Sequence, residues 1–354
     1  MSLRRLACAL VLFAIPVLAT AQEPPPTAPR GVVPPDQNLP RHIKKLTSFG
    51  ERADFSLDSK KVLFLSKTLG DALEYDIASG QIRNLTSHFP HYGFTRALYL
   101  ANGQILLAGP TEYDVKNPGR ARANCWLFIL DPASSRPPQP LNMQAAEGPV
   151  PSRTRMHIAW SWRAVAHPEM KPGSSRMFEA DIVYDNGVPR LANQRTILDS
   201  TEVPFQVELE PQNYRRPAET ELTFSAYGFQ QTEVFGLDLA TKKLTNYSNG
   251  PGIYDEPEGI FPDGRFTTVE SDHHNPAGTG FDRADIYKLS LDGKSTMVRL
   301  TCFANVPTYR ASNPVVSDDG RYMAFQMGRS GVAAGTGWGI FLYDLQMAGP
   351  NPRC

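Results

Sequence analysis

What this chain lacks narrows its reading before any motif is considered. It has no charge imbalance: Lys plus Arg and Asp plus Glu both number 36. A neutral chain sets up no long-range field that would draw in nucleic acid or an anionic membrane surface. Cysteine is scarce, with four in 354 residues and no CxxC pair, so a zinc or redox framework of that type is excluded. No apolar run beyond the first twenty residues is long enough to span a bilayer. Sustained helical periodicity is missing too, which argues against α/β folds. Catalytic signatures are absent: there is no GxSxG elbow, P-loop, GxGxxG opening a helix, HExxH or EF-hand loop.

Proline, by contrast, is abundant at 31 residues, which favours turns and edge strands over long helices. The N-terminus has the form of a secretory signal peptide over residues 1–21. Arg4 and Arg5 form a charged start, Leu6 to Leu18 an apolar stretch, and Ala19-Thr20-Ala21 a small-x-small cleavage site. The expected location is therefore the periplasm or the outside of the cell. Residues 22–41 (QEPPPTAPRGVVPPDQNLPR) read as a Pro-rich linker. Residues 42–354 read as one domain, with ordered structure starting near His42. After cleavage Cys125, Cys302 and Cys354 remain. An odd number leaves one thiol outside any intramolecular pair. Cys125 and Cys302 lie in apolar runs and read as buried free thiols, with the pairing left open.

Three short pieces recur. One is a polar-apolar strand: KKLTSF (44–49), RNLTSH (83–88), QPLNMQ (139–144), RTILDS (195–200), KKLTNY (242–247) and VRLTCF (298–303). The second is an apolar strand: ALEYDI (72–77), WLFILD (126–131), ADIVYD (180–185), EVFGLD (233–238), DIYKLS (285–290) and IFLYDL (340–345). The third is a turn leading into a strand, clearest in PDGRFTTVES (262–271) and DDGRYMAFQM (318–327). Six copies of two pieces at spacings of roughly 40–60 residues predict an all-β, six-bladed β-propeller. Two tandem β-sandwiches are the competing reading. The first short strand precedes the first apolar strand, so it must complete the last blade. Lys45–Phe49 should then pair with Ile340–Leu345 and close the ring, leaving no open edge. The innermost strands should run over Arg52–Ser56, Thr95–Leu100, His157–Ser161, Val207–Gln212, Glu256–Phe261 and Asn313–Ser317.

SLDSKKVLFLS, FPDGRFTTVES and SDDGRYMAFQM resemble the SPDGKxIAF core of WD40-like PD40 repeats, as in the TolB β-propeller family. The likeness covers most of residues 42–345 and is weakest in blades two and three. It implies a propeller and carries no activity. Among propellers of this kind, the oligogalacturonate lyases use channel-facing histidines and a divalent metal. This chain has Pro257 and Glu258 where their pattern puts a histidine before the PDG turn.

The candidate site residues cluster in the fifth repeat. Glu256 and Glu258 are two apart and so share a face of the inner strand. They form either an acid–base pair or a polar channel lining held by a neighbouring cation. Arg310 and Asn313, at the next inner strand, are the candidate partners. Asp272, His273 and His274 open a loop that ought to lie at the mouth, where His273 offers an imidazole to a divalent metal. Trp160 and Trp162 read as core aromatics and Tyr214-Arg215-Arg216 as a solvated basic cluster. Two functions follow. One is a monomeric, cofactor-free binding propeller for a protein or glycan partner. The other is a carbohydrate-active lyase or hydrolase at the channel mouth, with a divalent metal as its possible cofactor.

Overall fold

The computed structural model describes residues 31–113, 118–146, 148–275, 280–330, 335, 337–350 and 352. The expected signal peptide lies outside them. One compact unit spans Val32–Cys354 and is nearly all β, with two short helices (Pro118–Ala123 and Leu345–Ala348) among the described residues.

Six four-stranded antiparallel sheets form the blades of a propeller ring. Blade one is Glu51–Phe55, Lys61–Leu65, Ala72–Asp76 and Ile82–Asn84, named from the innermost strand outward. Blade two is Arg96–Tyr99, Ile105–Gly109, Cys125–Leu130 and Gln139–Ala145. Blade three is Val150–Pro151, His157–Arg163, Ser175–Asp185 and Val188–Asp199. Blade four is Glu208–Tyr214, Glu221–Tyr227, Thr232–Asp238 and Leu244–Asn246. Blade five is Asp255–Ile260, Phe266–Ser271, Asp285–Ser290 and Met297–Arg299. Blade six is Tyr309–Val316, Tyr322–Arg329 and Ile340–Asp344, completed on its outer edge by Ile43–Lys45. Successive inner strands contact one another around the ring, and blade six returns to blade one.

The N-terminal strand does close the ring, two residues earlier than the expected register. Ile43 pairs with Tyr343, Lys44 with Leu342 and Lys45 with Phe341. Thr47 lies beyond the strand but stays tied to it, its N–H donating to Ile340 O at 3.3 Å and its hydroxyl accepting from Ile340 N at 3.0 Å. Packing also begins before His42. Pro35–Gln37 form a 3-10 turn, Asp36 pairs with Lys45 at 2.6 Å, and Val32 and Leu39 pack on the core of blade six.

The LTS-like repeat is a clasp between the outermost strand and the one inside it. Its hydroxyl accepts from a backbone N–H at the start of the third strand and, in three blades, donates to an acidic side chain there. Thr86 accepts from Ala72 N (3.1 Å) and donates to Asp71 (2.9 Å). Thr301 accepts from Ile286 N (2.9 Å) and donates to Asp285 (2.8 Å). Ser248 accepts from Val234 N at 2.9 Å and donates to Glu233. Ser200 accepts from Ser175 N at 2.9 Å. Each clasp satisfies buried polar groups that would cost about 1–3 kcal/mol if orphaned.

Apolar residues form six clusters, one between each pair of neighbouring blades. Trp160 is fully buried in the cluster between blades two and three and stacks on Phe178. Gly264, in the turn of blade five, has φ +66°, and a Cβ there would sit 1.7 Å from Arg216 O. That glycine lets the blade-five turn approach blade four.

Blade three departs from the expected strand assignment. His157–Arg163 is its second strand, and the inner strand is Val150–Pro151 alone. Pro149 and Pro151 remove ladder donors and leave no alternating pattern to read. Cys302 is disulfide-bonded, against the expectation of a free thiol. Cys125 is a buried thiol whose sulfur lies 3.2 Å from Thr95 Oγ1.

Candidate functional site in the channel

The inner strands of blades one, four, five and six share an irregularity. Each shifts register against its second strand: between Glu51 and Asp54, Pro211 and Asn213, Pro257 and Gly259, and Ser312 and Val315. A bulge places an extra residue on the inner strand and re-aims its side chain. Arg52 and Asn313 take positive φ (56° and 47°) at these points. Arg52, Gln212, Glu258 and Asn313 thereby point into the channel region, where all four line a cavity of about 90 Å³.

A larger cavity of about 310 Å³ adjoins it at the end where the inner strands begin, and Arg52, Arg96, Glu258 and Asn313 line both. Its wall carries Glu208, Glu210, Glu256, Arg163, Arg310 and Arg329, with Phe281 and Trp338 as aromatic surfaces. At the opposite end Arg153 crosses the channel. It donates to Phe55 O at 2.8 Å and to Asp318 at 2.5 Å, and lies 3.3 Å from Asp54. Arg216 of blade four joins Asp318 from the other side. Residues of blades one, three, four and six thus bolt that end.

Glu256 and Glu258 do share the channel face, and a third carboxylate joins them. Glu256, Glu258 and Glu270 are buried, and their nearest oxygens all lie within 4.8 Å of one another. Glu256 accepts from the hydroxyls of Tyr227 and Tyr254. Glu258 accepts from Asn313 Nδ2 at 2.8 Å and has Arg96 at 3.9 Å. Glu270 accepts from the bulged Asn313 N at 2.5 Å through Oε1, while its Oε2 is buried without a hydrogen-bond partner. Burial, followed by the Glu258 and Glu210 charges, raises Glu256 to about 8 against the two tyrosine hydroxyls. Burial raises Glu258 as well, opposed first by Arg96. Burial and then Glu256 and Glu258 push Glu270 well above the carboxylate range.

The other candidates divide. Arg310 lines the cavity, its guanidinium 4.1 Å over the Phe281 ring and 3.4 Å from Asp282. Asp272 is buried and holds its own loop, accepting from Tyr254 N (2.9 Å) and Gly280 N (2.7 Å). His273 is exposed, with its ring 6.1 Å from Tyr287. His274 stacks on the same tyrosine and meets its hydroxyl at 3.1 Å. Burial, then Arg299 and Arg283, lower it to about 4. None of these three lines either channel cavity among the described residues. The Tyr214-Arg215-Arg216 cluster is not a solvated face: Tyr214 is buried, Arg215 ties blade four to Gly264 O and Leu291 O, and Arg216 meets Asp318. Sequence reasoning alone misses Glu270 as a site residue. A hairpin folded at Pro262–Gly264 pairs Glu256 with Glu270, so the register of that turn was the available signal.

No protein-family model matches the chain, and no curated protein matches it. Solved structures do. A gluconolactonase from Xanthomonas campestris aligns at 10% identity and TM-score 0.53, over 86% of this chain and 89% of its own. An oligogalacturonate lyase from Vibrio parahaemolyticus aligns at 15% identity and TM-score 0.49, over 82% and 75%. TolB from Acinetobacter baumannii aligns at 15% identity and TM-score 0.47, over 83% and 66%. At these identities the likeness concerns the propeller fold. No helix among the described residues is long and apolar enough to cross a membrane.

Proposed function

We propose that this protein is an exported binding propeller that receives the end of a glycan in its channel cavity. The observation that carries the reading is the polar, mixed-charge lining of that cavity. It holds about 310 Å³, within the roughly 300–1,000 Å³ of ordinary ligand sites. Arg153 and its partners tie the blades together at the far end, and a ligand would approach from the end that holds the larger cavity. The wall alternates carboxylates and guanidinium groups, a match for a hydroxyl-rich ligand that both donates and accepts. Phe281 and Trp338 add aromatic surface to the wall of the kind on which a sugar ring can stack, each with a guanidinium already over one face (Arg310 at 4.1 Å, Arg329 at 5.1 Å). A protein partner at the same mouth is the other form of the binding reading.

The test is a screen of the secreted, mature protein against immobilised neutral and acidic glycans, beside a Glu258→Gln variant of unchanged circular dichroism. Saturable binding that the variant loses supports the reading. Binding to none of the glycans removes the glycan form.

One observation favours a second reading, a carbohydrate-active enzyme. The oxygens of Glu256 and Glu258 lie within 4.8 Å of each other on the cavity wall, a close carboxylate pair of the kind that retaining glycosidases use. Incubation with polysaccharides, read by new reducing ends or unsaturated sugars, tests it. Product formed by the wild type and not by Glu258→Gln supports catalysis. An unchanged panel contradicts it.

A further inference from the structure

Glu270 has a counterpart one blade on, and the comparison isolates what is unusual about it. In blade six the second-strand residue Gln326 offers Oε1 to the bulged N–H of Arg52 in blade one, at 2.6 Å. In blade five Glu270 offers Oε1 to the bulged N–H of Asn313 in blade six, at 2.5 Å. The two side chains cap equivalent bulges, and the neutral amide of Gln326 is sufficient to do so. The charge at Glu270 is therefore unnecessary for capping, yet it is buried beside two other carboxylates.

The cations nearby are mostly engaged with carboxylates outside the triad, except that Arg96 stands nearest its member Glu258, on which the Arg52 charge also acts. Arg96 faces Glu258 at 3.9 Å, Arg163 meets Glu208 and Glu210, and Arg310 meets Asp282. Arg310 acts on Glu270 only as a more distant charge, too weakly to offset burial. Buried carboxylates short of compensating cations are costly. The buried Oε2 of Glu270 has no donor, and Glu270 is a member of the triad.

We infer that Glu256, Glu258 and Glu270 bind one divalent cation of the hard, oxygen-preferring class. The donor set is all carboxylate, which selects Ca²⁺, Mg²⁺ or Mn²⁺ over softer metals. Two oxygens on one ion can stand at most twice the metal–oxygen distance apart. That limit is about 4.6–5.2 Å for Ca²⁺ and about 4 Å for Mg²⁺. A triad whose oxygens lie within 4.8 Å of one another is of the size that Ca²⁺ can draw together, and Mg²⁺ would require them within about 4 Å. Glu256 and Glu258 line the larger cavity, so water or a ligand hydroxyl can fill the remaining positions. This deepens the binding reading by naming an ion at the floor of the same cavity, and it needs no sugar to be tested.

The experiment is calorimetric titration of CaCl₂, and separately MnCl₂, into chelator-stripped mature protein without any glycan. Mn²⁺ paramagnetic resonance reports the bound fraction independently. The wild type should bind one equivalent, and Ca²⁺ should raise its melting temperature. Glu270→Gln keeps the cap on Asn313 and should weaken binding by about tenfold or more, since outer-sphere changes alone cost roughly 10–100-fold. Glu256→Gln should weaken it likewise. Absence of binding in the wild type overturns the inference, as does equal affinity in a folded Glu270→Gln. Cation binding by a protein that takes no glycan would leave the inference standing and remove the glycan reading.

Discussion

Replacing Arg153 by Met tests whether the channel is bolted as described. Arg153 meets Asp54, Asp318 and Phe55 O at once. Met retains most of the apolar stem and removes the charge. Asp318 keeps Arg216, whereas Asp54 is left buried without a cation, with backbone N–H groups such as that of Tyr99, at 2.7 Å, as its donors. Breaking a buried ion pair from one side costs about 3–5 kcal/mol, and the surviving partner of Asp318 puts the expected loss near the lower end. A compact unit of about 320 residues has an unfolding entropy of about 0.7 kcal/mol per kelvin. The melting temperature should therefore fall by about 4–5 °C in differential scanning calorimetry. Adding Asp54→Asn removes the stranded charge and preserves an acceptor for Tyr99 N. The double variant should recover about 1–2 kcal/mol relative to the single one. A fall of less than about 1 °C in the single variant, or a double variant less stable than it, would refute the reasoning.

Three further outcomes follow from the same structure. Ile43→Ala removes a buried side chain from the strand that closes blade six. It should cost about 2–4 kcal/mol in urea unfolding and speed proteolysis at the N-terminal strand. Thr301→Val orphans Ile286 N and deprives Asp285 of a donor, for a loss of about 1–3 kcal/mol by the same assay. Glu179 accepts from His157 and Arg195, and these bonds outweigh burial to hold its carboxyl below the usual 4.5. A depressed acid contributes stability that is complete above its unfolded value and lost as pH falls through the folded one. Stability measured from pH 6 to pH 3 should thus decline below about 4.5, and less steeply in Glu179→Gln.

The fold was largely legible because its signals are local. The S-x-D turns stop one strand and start the next, and the Asp side chain caps them: Asp319 accepts from Ser317 Oγ at 2.6 Å and Asp58 from Ser56 Oγ at 2.7 Å. The LTS-like pieces lead into clasps in five blades, at Thr47, Thr86, Ser200, Ser248 and Thr301, so they track the blades closely. Blade three hid its inner strand because two paired residues, one a proline and the other preceded by one, make no pattern. The site was legible in part. Glu256 and Glu258 were reachable through strand alternation, and Asn313 through the expected neighbour blade. Asp272 and the histidines misled because a polar tripeptide at a strand end has the same composition whether it binds a ligand or ties a loop. The bulges that set Asn313 against both Glu258 and Glu270 depend on tertiary packing and leave no local sequence signal.

The measurement that bears most directly on the channel cavity as the functional site is a calorimetric titration. The best-bound oligosaccharide from the glycan screen would be added to wild-type protein and to Glu258→Gln of matched melting temperature. Glu258 lines both channel cavities, so the account predicts affinity at least about tenfold weaker in the variant, or about 1.4 kcal/mol. Equal affinities would place the ligand elsewhere on the ring and contradict it.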